Sequence, residues 1–316
     1  MTKPLPASSP PSSYAVTVSA PAKVNLILRV LDRRADGFHN LWSVMQTVGL
    51  EDEVSLRIDE HHNGIRLHCD DPSLAADRTN LVHRAAEAVL LRCRRRVGVE
   101  IMLTKRIPMG AGLGGGSSDA AATIVGLNRL LDLQWSAADM AQVGQTLGSD
   151  VPFFFFAPTA VVTGRGEEVR SVQLAGERGV VLVYPGFSVE TKWAYQTLAS
   201  RRTHVRPLSD AHASLGRERR LSWEQVLEKA ENDFEAPVFE TYPALQVIKH
   251  TLLKLGAEAA LLSGSGATVF GVFPDERKAR QAASDYPADA RDKVFAAVTG
   301  RGEGHRFPST SGAGVS

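Results

Sequence analysis

The segment 108–122, PMGAGLGGGSSDAAA, carries the clearest chemical signal in the chain, with five glycines followed by two serines. Glycine has no Cβ, so the backbone N–H groups of such a loop can approach phosphate oxygens closely. The serines are expected to cap the helix that follows, whose N-terminus offers unpaired N–H groups and partial positive charge. Loop and helix end together predict a binding site for a di- or triphosphate.

The same segment allows other interpretations. It could be a glycine-rich turn without a ligand, although such a turn costs conformational entropy. Gly110, Gly112 and Gly115 satisfy the G-x-G-x-x-G pattern of dinucleotide-binding folds, but there an acidic residue ends the next strand about 20 residues on. Asp132 ends a predicted helix instead. A Walker loop would require Gly-Lys-Ser/Thr, which does not follow. The third interpretation is a kinase phosphate loop of another kind.

Two charged residues lie in otherwise apolar surroundings. Lys23 lies in a predicted apolar strand, where an ammonium group is costly unless it meets an anion. Asp150 precedes Pro152 in a run that is otherwise apolar through Phe156. A kinase needs groups that neutralise charge and orient the attacking hydroxyl, so both residues are catalytic candidates. Lys23 could instead extend to the surface, and Asp150 could cap a turn.

The elements that must position these groups are a mixture of strands and helices. Strands are predicted at 14–18, 23–30, 97–107, 180–184, 259–262, 268–273 and 294–298, with two more within 44–58 around a turn at Glu51–Asp52. Helices are predicted at 80–95, from the glycine-rich loop to about 131, at 136–147, near 192 and 223, at 242–255 and from 276. In the helix at 80–95, one side carries Leu81, Ala85, Ala88 and Leu91. The mixture predicts an α+β fold.

The chain has 316 residues, enough for two modest domains. We predict an ATP-binding and catalytic domain at 14–165 and a substrate-binding domain at 166–300. The ends, 1–13 and 301–316, are rich in Pro, Ser and Gly and are expected to be disordered. The basic stretch 201–220 is expected to be a surface loop.

Composition excludes little but points away from several classes. The formal net charge of +1 does not suggest nucleic acid or a membrane surface as a partner. Cys69 and Cys93 form no metal or redox motif and are expected to be reduced thiols. We find no secretory signal and no apolar run long enough to span a bilayer. We therefore expect a cytoplasmic protein without an obligate protein partner.

Three motifs resemble those of the GHMP kinases, the superfamily of galactokinase, homoserine kinase and mevalonate kinase. The segment 108–122 resembles their central motif, while 21–26 and 262–268 resemble the first and third. The segments 33–39, 148–154 and 231–235 resemble one branch, which phosphorylates an alcohol linked to cytidine diphosphate in non-mevalonate isoprenoid biosynthesis. The resemblance covers about 16–298. It implies a two-domain GHMP kinase fold, with an N-terminal ATP-binding domain and a C-terminal α+β domain.

The resemblance also implies roles for individual residues. Asp150 would act as a base toward the substrate hydroxyl, or only orient it, with Lys23 beside it. Mg²⁺ would bridge the phosphates of ATP, with Ser118 as a ligand. The implied ATP-binding residues are Pro108, Gly110, Gly112, Leu113, Gly114, Gly115, Gly116, Ser117 and Ser118 in the loop, with Asn80, Leu81 and Lys105 on the adenine side. Lys105 could equally be an exposed strand lysine.

The implied substrate is a small molecule containing cytidine diphosphate. Asn25 shares a strand face with Lys23 and should reach the same pocket. Phe38 and Tyr195 would sandwich the cytosine ring, and His39 would contact its edge. The implied substrate-binding residues are Asn25, Phe38, His39, Thr191, Tyr195, Gly264 and Ser265. The aromatic residues could instead be packed in the protein, and the turn of the third motif could be a plain tight turn.

Two other functions stay open. The chain could be another GHMP enzyme, such as a homoserine or phosphomevalonate kinase, although Phe38 and His39 suit a cytosine better than an amino acid or a second phosphate. It could also be a nucleotide-binding protein without catalytic activity. The presence of both Lys23 and Asp150 argues against that alternative.

Overall fold

The computed structural model describes residues 15–59, 63–202 and 207–300, so both ends predicted to be disordered lie outside the described residues. Its strands are β1 (Ala15–Arg33), β2 (His39–Asp59), β3 (Gly64–Cys69), β4 (Gly98–Thr104), β5 (Thr159–Gly164), β6 (Glu168–Ser171), β7 (Gln173–Leu174), β8 (Gly179–Tyr184), β9 (Arg220–Leu221), β10 (Ala259–Leu262), β11 (Val269–Phe273) and β12 (Lys293–Val298). Its helices are α1 (Leu81–Cys93), α2 (Gly115–Leu130), α3 (Ala137–Gly144), α4 (Thr191–Arg201), α5 (Asp210–Arg217), α6 (Trp223–Leu227), α7 (Glu235–Thr241), α8 (Pro243–Lys254) and α9 (Glu276–Asp285), with a 3₁₀ helix at Pro152–Phe155. No described helix is long and apolar enough to cross a membrane.

Strands β1 and β2 form one long antiparallel hairpin. The sequence predicts two separate strands in place of β1, but residues 20–30 are all buried, so the strand has no exposed polar face to mark it. The predicted turn at Glu51–Asp52 is wrong, because β2 runs through it. The register there passes from Pro21 opposite Glu51 to Ala22 opposite Val48. The extra residues of β2 thus form a bulge, beside a proline that cannot donate to the ladder.

The structure contains two main sheets. The first has the order β3-β4-β2-β5-β6, with β1 also paired to β2. The second has the order β10-β11-β8-β12, and all its pairs are antiparallel. In the first sheet β6 pairs with β5 beyond the predicted domain boundary at residue 165, whose position stays a prediction.

Apolar side chains form three buried clusters, which lie between the sheets and the helices or between the two sheets. One cluster joins α1, α2 and α3 to the first sheet, and another joins α8 and α9 to the second. The third contains residues of both sheets, including Val24 of β1 and Val180 of β8. Strand β1 is therefore covered on both faces, and α2, whose alanines 120–122 are fully buried, packs against it. This packing fixes the start of α2 beside β1.

Two sequence expectations about the surface need correction. In α1 the buried residues are Val82, Ala85, Ala86 and Val89. Leu91, expected on the buried side, is 78% exposed, because the helix is rotated from the predicted stripe by about one residue. The basic stretch 201–220 is not simply a loop. It contains α5, which begins after the cap Ser209 and buries His212 and Leu215, while 203–206 lie outside the described residues.

Candidate active site

The glycine-rich loop connects β4 to α2 and packs on the turn of the third motif. Gly114 precedes the helix with φ of 71°, and no side chain caps it. The expectation that serines cap this helix is therefore wrong, and Ser117 and Ser118 lie in its first turn. Gly112 has φ of 79°, and a Cβ there would lie 2.2 Å from the Ser263 carbonyl oxygen. Only glycine permits this approach of the two backbones.

Lys23 and Asp150 lie together at the end of this loop. The Lys23 Nζ is 3.4 Å from Asp150 Oδ2 and donates a hydrogen bond to Asn25 Oδ1 at 2.9 Å. The Asn25 amide in turn donates to Ser43 Oγ at 2.9 Å. A Cβ on Gly114 would lie 2.9 Å from Lys23 Cγ, so the lysine stem passes directly beside the start of α2. The lysine is buried and held in place, which excludes the surface alternative.

All nine predicted substrate and catalytic residues line two adjoining cavities. The larger has a volume of about 710 Å³, and the smaller about 150 Å³. Leu41, Asp150, Thr191 and Tyr195 line both. The larger is also lined by Phe38 and His39, and the smaller by Lys23, Asn25, Gly112, Gly114, Gly264 and Ser265. Asp150 thus lies where the larger cavity adjoins the smaller one, which is lined by Lys23 and by both loops.

The aromatic residues of the larger cavity contact other side chains of the protein, and the sandwich of a cytosine between Phe38 and Tyr195 stays a prediction. Tyr195 stacks on His39, with ring centroids 5.3 Å apart and an interplanar angle of 25°. Phe38 is 55% exposed, and the Arg165 guanidinium lies 5.1 Å from its ring centroid. Burial, with the nearby Arg33 and Arg202, lowers the pKa of His39. Burial and the Asp150 carboxylate raise the pKa of Tyr195 to about 12. At neutral pH both rings are therefore uncharged.

The predicted adenine-side residues lie near the start of α2. Asn80 caps α1, because its Oδ1 accepts from the Val82 N–H at 2.9 Å. Leu81 lies next to the first turn of α2, 3.5 Å from the position of a Cβ on Gly116. Neither residue lines the two cavities above. Their contact with ATP stays a prediction.

Lys105 is part of a buried ion network rather than an exposed strand lysine. Its Nζ contacts Asp52 and lies 2.7 Å from Asp119 Oδ2, and all three side chains are nearly fully buried. Burial alone would lower the pKa of Lys105, but the two carboxylates have the larger combined effect, so the pKa is raised. Burial and the repulsion of Asp52 raise the pKa of Asp119 to about 7 despite Lys105. Sequence reasoning missed Asp52 and Asp119, because their distance along the chain from Lys105 gives no spacing signal.

Several other residues of the site were not singled out from the sequence. Arg33, Arg165 and Lys192 line the larger cavity and give it positive charge. Asn232 was noted only as part of a motif, yet its amide donates to the Gly264 carbonyl at 2.8 Å. The motif was the signal that could have found it. The Ser118 hydroxyl is buried and has no hydrogen-bond partner among the described residues.

Comparisons with known proteins show the family to which the chain belongs. The family model described as GHMP kinases N terminal domain matches residues 80–157, and that described as GHMP kinases C terminal matches 208–292. A 4-diphosphocytidyl-2-C-methyl-D-erythritol kinase from Syntrophotalea carbinolica is 44% identical, over 88% of this chain and 96% of its own length. A protein of the same name from Citrifermentans bemidjiense is 41% identical over the same shares.

Solved structures give the same result. The crystal structure of a 4-(cytidine 5'-diphospho)-2C-methyl-D-erythritol kinase matches with a TM-score of 0.75 and 34% identity, over 91% of this chain and all of that chain. A homoserine kinase from Cytophaga hutchinsonii matches with a TM-score of 0.68 and 20% identity, over 95% and 99%, which shows the shared fold alone. The two-domain α+β fold predicted from the sequence is thereby confirmed. The chain belongs to the GHMP kinases, a superfamily of ATP-dependent small-molecule phosphotransferases, and within it to the family of its relatives named 4-diphosphocytidyl-2-C-methyl-D-erythritol kinase.

Proposed function

We propose that the chain transfers the γ-phosphoryl group of ATP to the 2-hydroxyl of 4-diphosphocytidyl-2-C-methyl-D-erythritol, giving the 2-phosphate and ADP. The observation that carries this proposal is the position of Asp150, paired with Lys23 where the two cavities meet. The names of the relatives support this substrate. The reaction would serve non-mevalonate isoprenoid biosynthesis in the cytoplasm.

The residues at this junction suit a direct transfer. The Asp150 carboxylate would accept the proton of the substrate hydroxyl, whose oxygen forms a bond to the γ-phosphorus while the bond to the β–γ bridging oxygen breaks. Lys23, oriented by Asn25, would stabilise the negative charge on the transferred group. The N-terminus of α2 would hold the other phosphates through backbone N–H groups. No enzyme nucleophile is required, so no phosphoenzyme is expected.

The first turn of α2 suits a magnesium ion bound with ATP. Its Ser118 hydroxyl is buried without a partner among the described residues, and Mg²⁺ prefers oxygen ligands. Within the described ranges no group of three or more His, Cys, Asp or Glu residues could hold a metal, so phosphate oxygens and water would supply the other ligands. When bound, Mg²⁺ would neutralise phosphate charge.

The larger cavity favours a cytidine diphosphate over the amino acid of a homoserine kinase. Its volume of about 710 Å³ suits a ligand larger than homoserine. Aromatic rings line it together with Arg33, Arg165 and Lys192, and such cations suit the two phosphates of the substrate. Phosphomevalonate has no ring that could stack on the aromatic side chains of this cavity.

An assay of ADP release against a panel of alcohols tests the substrate. We expect turnover with the cytidine diphosphate substrate and none with homoserine or phosphomevalonate. Strong turnover of either of the last two would overturn the choice. Absence of turnover with every alcohol, together with ATP binding, would favour the nucleotide-binding alternative.

Replacement of Asp150 by Asn tests the catalytic assignment. Because the amide cannot accept the proton, we expect kcat to fall by at least about 10²-fold while the affinity for ATP, measured by calorimetry, changes little. Asp285→Asn, an exposed aspartate at the end of α9, is the control and should keep full activity. An unchanged kcat in Asp150→Asn would show that the base is wrongly assigned.

A further inference from the structure

The segment 231–234 is attached to the strand that carries Lys23. The Leu28 N–H donates to the Glu231 carbonyl at 2.8 Å, and the Asp233 N–H donates to the Leu28 carbonyl at 3.0 Å. The segment therefore pairs with β1 on both sides of Asn232, which forms an isolated parallel bridge with Leu28. Because its backbone is bonded to β1, Asn232 keeps a fixed position relative to this strand, and so do the groups that its side chain binds.

The Asn232 side chain holds the turn of the third motif. Its Nδ2 donates to the Leu262 carbonyl at 2.7 Å and to the Gly264 carbonyl at 2.8 Å. Its Oδ1 accepts from the Phe234 N–H at 2.9 Å. The residue is 6% exposed, so both of its N–H donors and its acceptor are used within the protein.

The turn that Asn232 holds lies against the catalytic lysine. A Cβ on Gly264 would lie 3.5 Å from Lys23 Nζ, and Gly264 has φ of 57°. Gly264 and Ser265 line the smaller cavity. Among the described residues, no acceptor pairs with the backbone N–H of Gly264 or of Ser265. Successive free N–H groups in a turn of this conformation form a binding site for an anion.

We propose that Asn232 is a positioning residue for phosphoryl transfer. By binding the Leu262 and Gly264 carbonyls, it keeps their negative dipoles away from the cavity and presents the N–H groups of Gly264 and Ser265 to the transferred phosphoryl group. Gly114, which precedes α2, lines the same smaller cavity as Gly264 and Ser265, so both loops would contact the group. The inference rests on the proposed phosphoryl transfer, but it does not depend on which alcohol is the acceptor.

Asn232→Asp tests this role, because the carboxylate keeps the acceptor for Phe234 and removes both donors. We expect kcat to fall by about tenfold or more, with each KM within about threefold of wild type, as for an interaction made in the transition state. Asn128→Asp is the matched control. Asn128 also donates to a carbonyl, that of Trp135 at 3.2 Å, and accepts from the same residue, but it lies at the far end of α2.

A kcat of Asn232→Asp within about twofold of wild type would overturn the proposal, as would an equal loss of kcat in Asn128→Asp. A measurement on the wild-type protein covers the case in which the Asn232 variant does not fold. Addition of Mg²⁺ and β,γ-imido-ATP should shift the amide NMR resonances of Gly264 and Ser265 and leave that of Gly176 unchanged. If the two resonances do not shift, the turn does not contact the phosphates and the proposal fails. The NMR measurement needs no alcohol, so failure of the proposed substrate would be recognised separately from failure of this proposal.

Discussion

At the scale of single residues, the network of Asp52, Lys105 and Asp119 beneath the phosphate loop is the least expected feature. It contains two carboxylates and one ammonium group, all buried. Asp52 also accepts from the backbone N–H groups of Arg106 and Ile107, so its charge is well satisfied. One oxygen of Asp119 has no hydrogen-bond partner among the described residues. The ionised form of Asp119 is therefore less well stabilised than that of Asp52.

This imbalance predicts a pH dependence of stability. The pKa of Asp119 is raised from its ordinary 3.8 to about 7, so between these values the folded protein binds more protons than the unfolded chain. Its contribution to the free energy of unfolding is present below about pH 4 and is lost as pH rises toward 7, by at most about 1.4 kcal/mol per pH unit. Asp119→Asn should abolish this loss. Urea unfolding of the wild type and of Asp119→Asn from pH 4 to 8 measures the free energy of unfolding of each. A difference in free energy between the two proteins that does not vary with pH would contradict the prediction.

A second residue-scale prediction concerns the support of Phe38. Its exposed ring is contacted by Arg165, and a cation–π contact of this kind contributes about 0.5–1 kcal/mol. Arg165→Ala should therefore raise KM for the cytidine diphosphate substrate by at least about two- to fivefold, because the loss of a cation near the substrate phosphates adds to the loss of the ring contact. It should leave kcat nearly unchanged. Arg92→Ala, which removes a similar contact with Trp135 at 5.3 Å, should leave KM unchanged. An equal KM for wild type and Arg165→Ala would show that Arg165 does not support the ring.

The sequence predicted contacts between residues close in the chain better than contacts between residues far apart in it. Alternation along a strand placed Asn25 beside Lys23, and the structure joins them by a hydrogen bond. The internal network was missed, since Lys105 follows the last residue of β4 and alternation no longer determines the direction of its side chain. Its partners come from β2 and α2. Only tertiary packing brings them together.

At the scale of elements, a close contact between two loops determines the shape of the site. The Gly112 carbonyl accepts from Ser263 Oγ at 2.9 Å, and the Ala111 carbonyl accepts from the Thr268 N–H at 3.0 Å. The central and third motifs are thus bound to each other, which explains why both line the smaller cavity. The motifs predicted this neighbourhood. They did not predict the bulge in β2 or helix α5, because a bulge and a short amphipathic helix in a charged stretch have weak local signals.

Substitution of Gly112 by Ala should disrupt this contact. The new Cβ would lie 2.2 Å from the Ser263 carbonyl oxygen and 2.8 Å from that of Gly266, and backbone atoms cannot move aside cheaply. Gly176→Ala is a matched control, because Gly176 has the same φ of 79° with no atom within 4 Å of its Cβ. Both variants share the strain of a positive φ, about 1–2 kcal/mol. Gly112→Ala should lose about 2 kcal/mol more in urea unfolding. Equal losses would show that the loops can separate freely.

At the scale of the whole molecule, ion pairs join β1 to the segment 231–233, which lies between α6 and α7. Arg29 of β1 is 2% exposed and lies 2.9 Å from Glu231 Oε1 and 3.3 Å from Asp233 Oδ2. Arg202, just after α4, reaches Asp233 at 2.7 Å. The catalytic strand and the segment that holds the third-motif turn are therefore connected by ion pairs as well as by backbone hydrogen bonds. The relative position of Lys23 and the turn depends on this connection.

Replacement of Arg29 by Met measures how much this connection stabilises the fold. The variant leaves two carboxylates without their central cation, and removing one partner of a buried ion pair costs about 3–5 kcal/mol. Because Arg202 still neutralises part of the charge, we expect a loss near the lower end of that range. Arg57→Met in β2 is the control, since the Arg57 side chain is 47% exposed whereas that of Arg29 is 3% exposed, and ion pairs of exposed side chains contribute little. If the two variants unfold at the same urea concentration, the buried pairs do not join the parts of the molecule. A loss confined to Arg29→Met, with a parallel fall in kcat at temperatures where the variant is fully folded, would link the position of β1 to phosphoryl transfer.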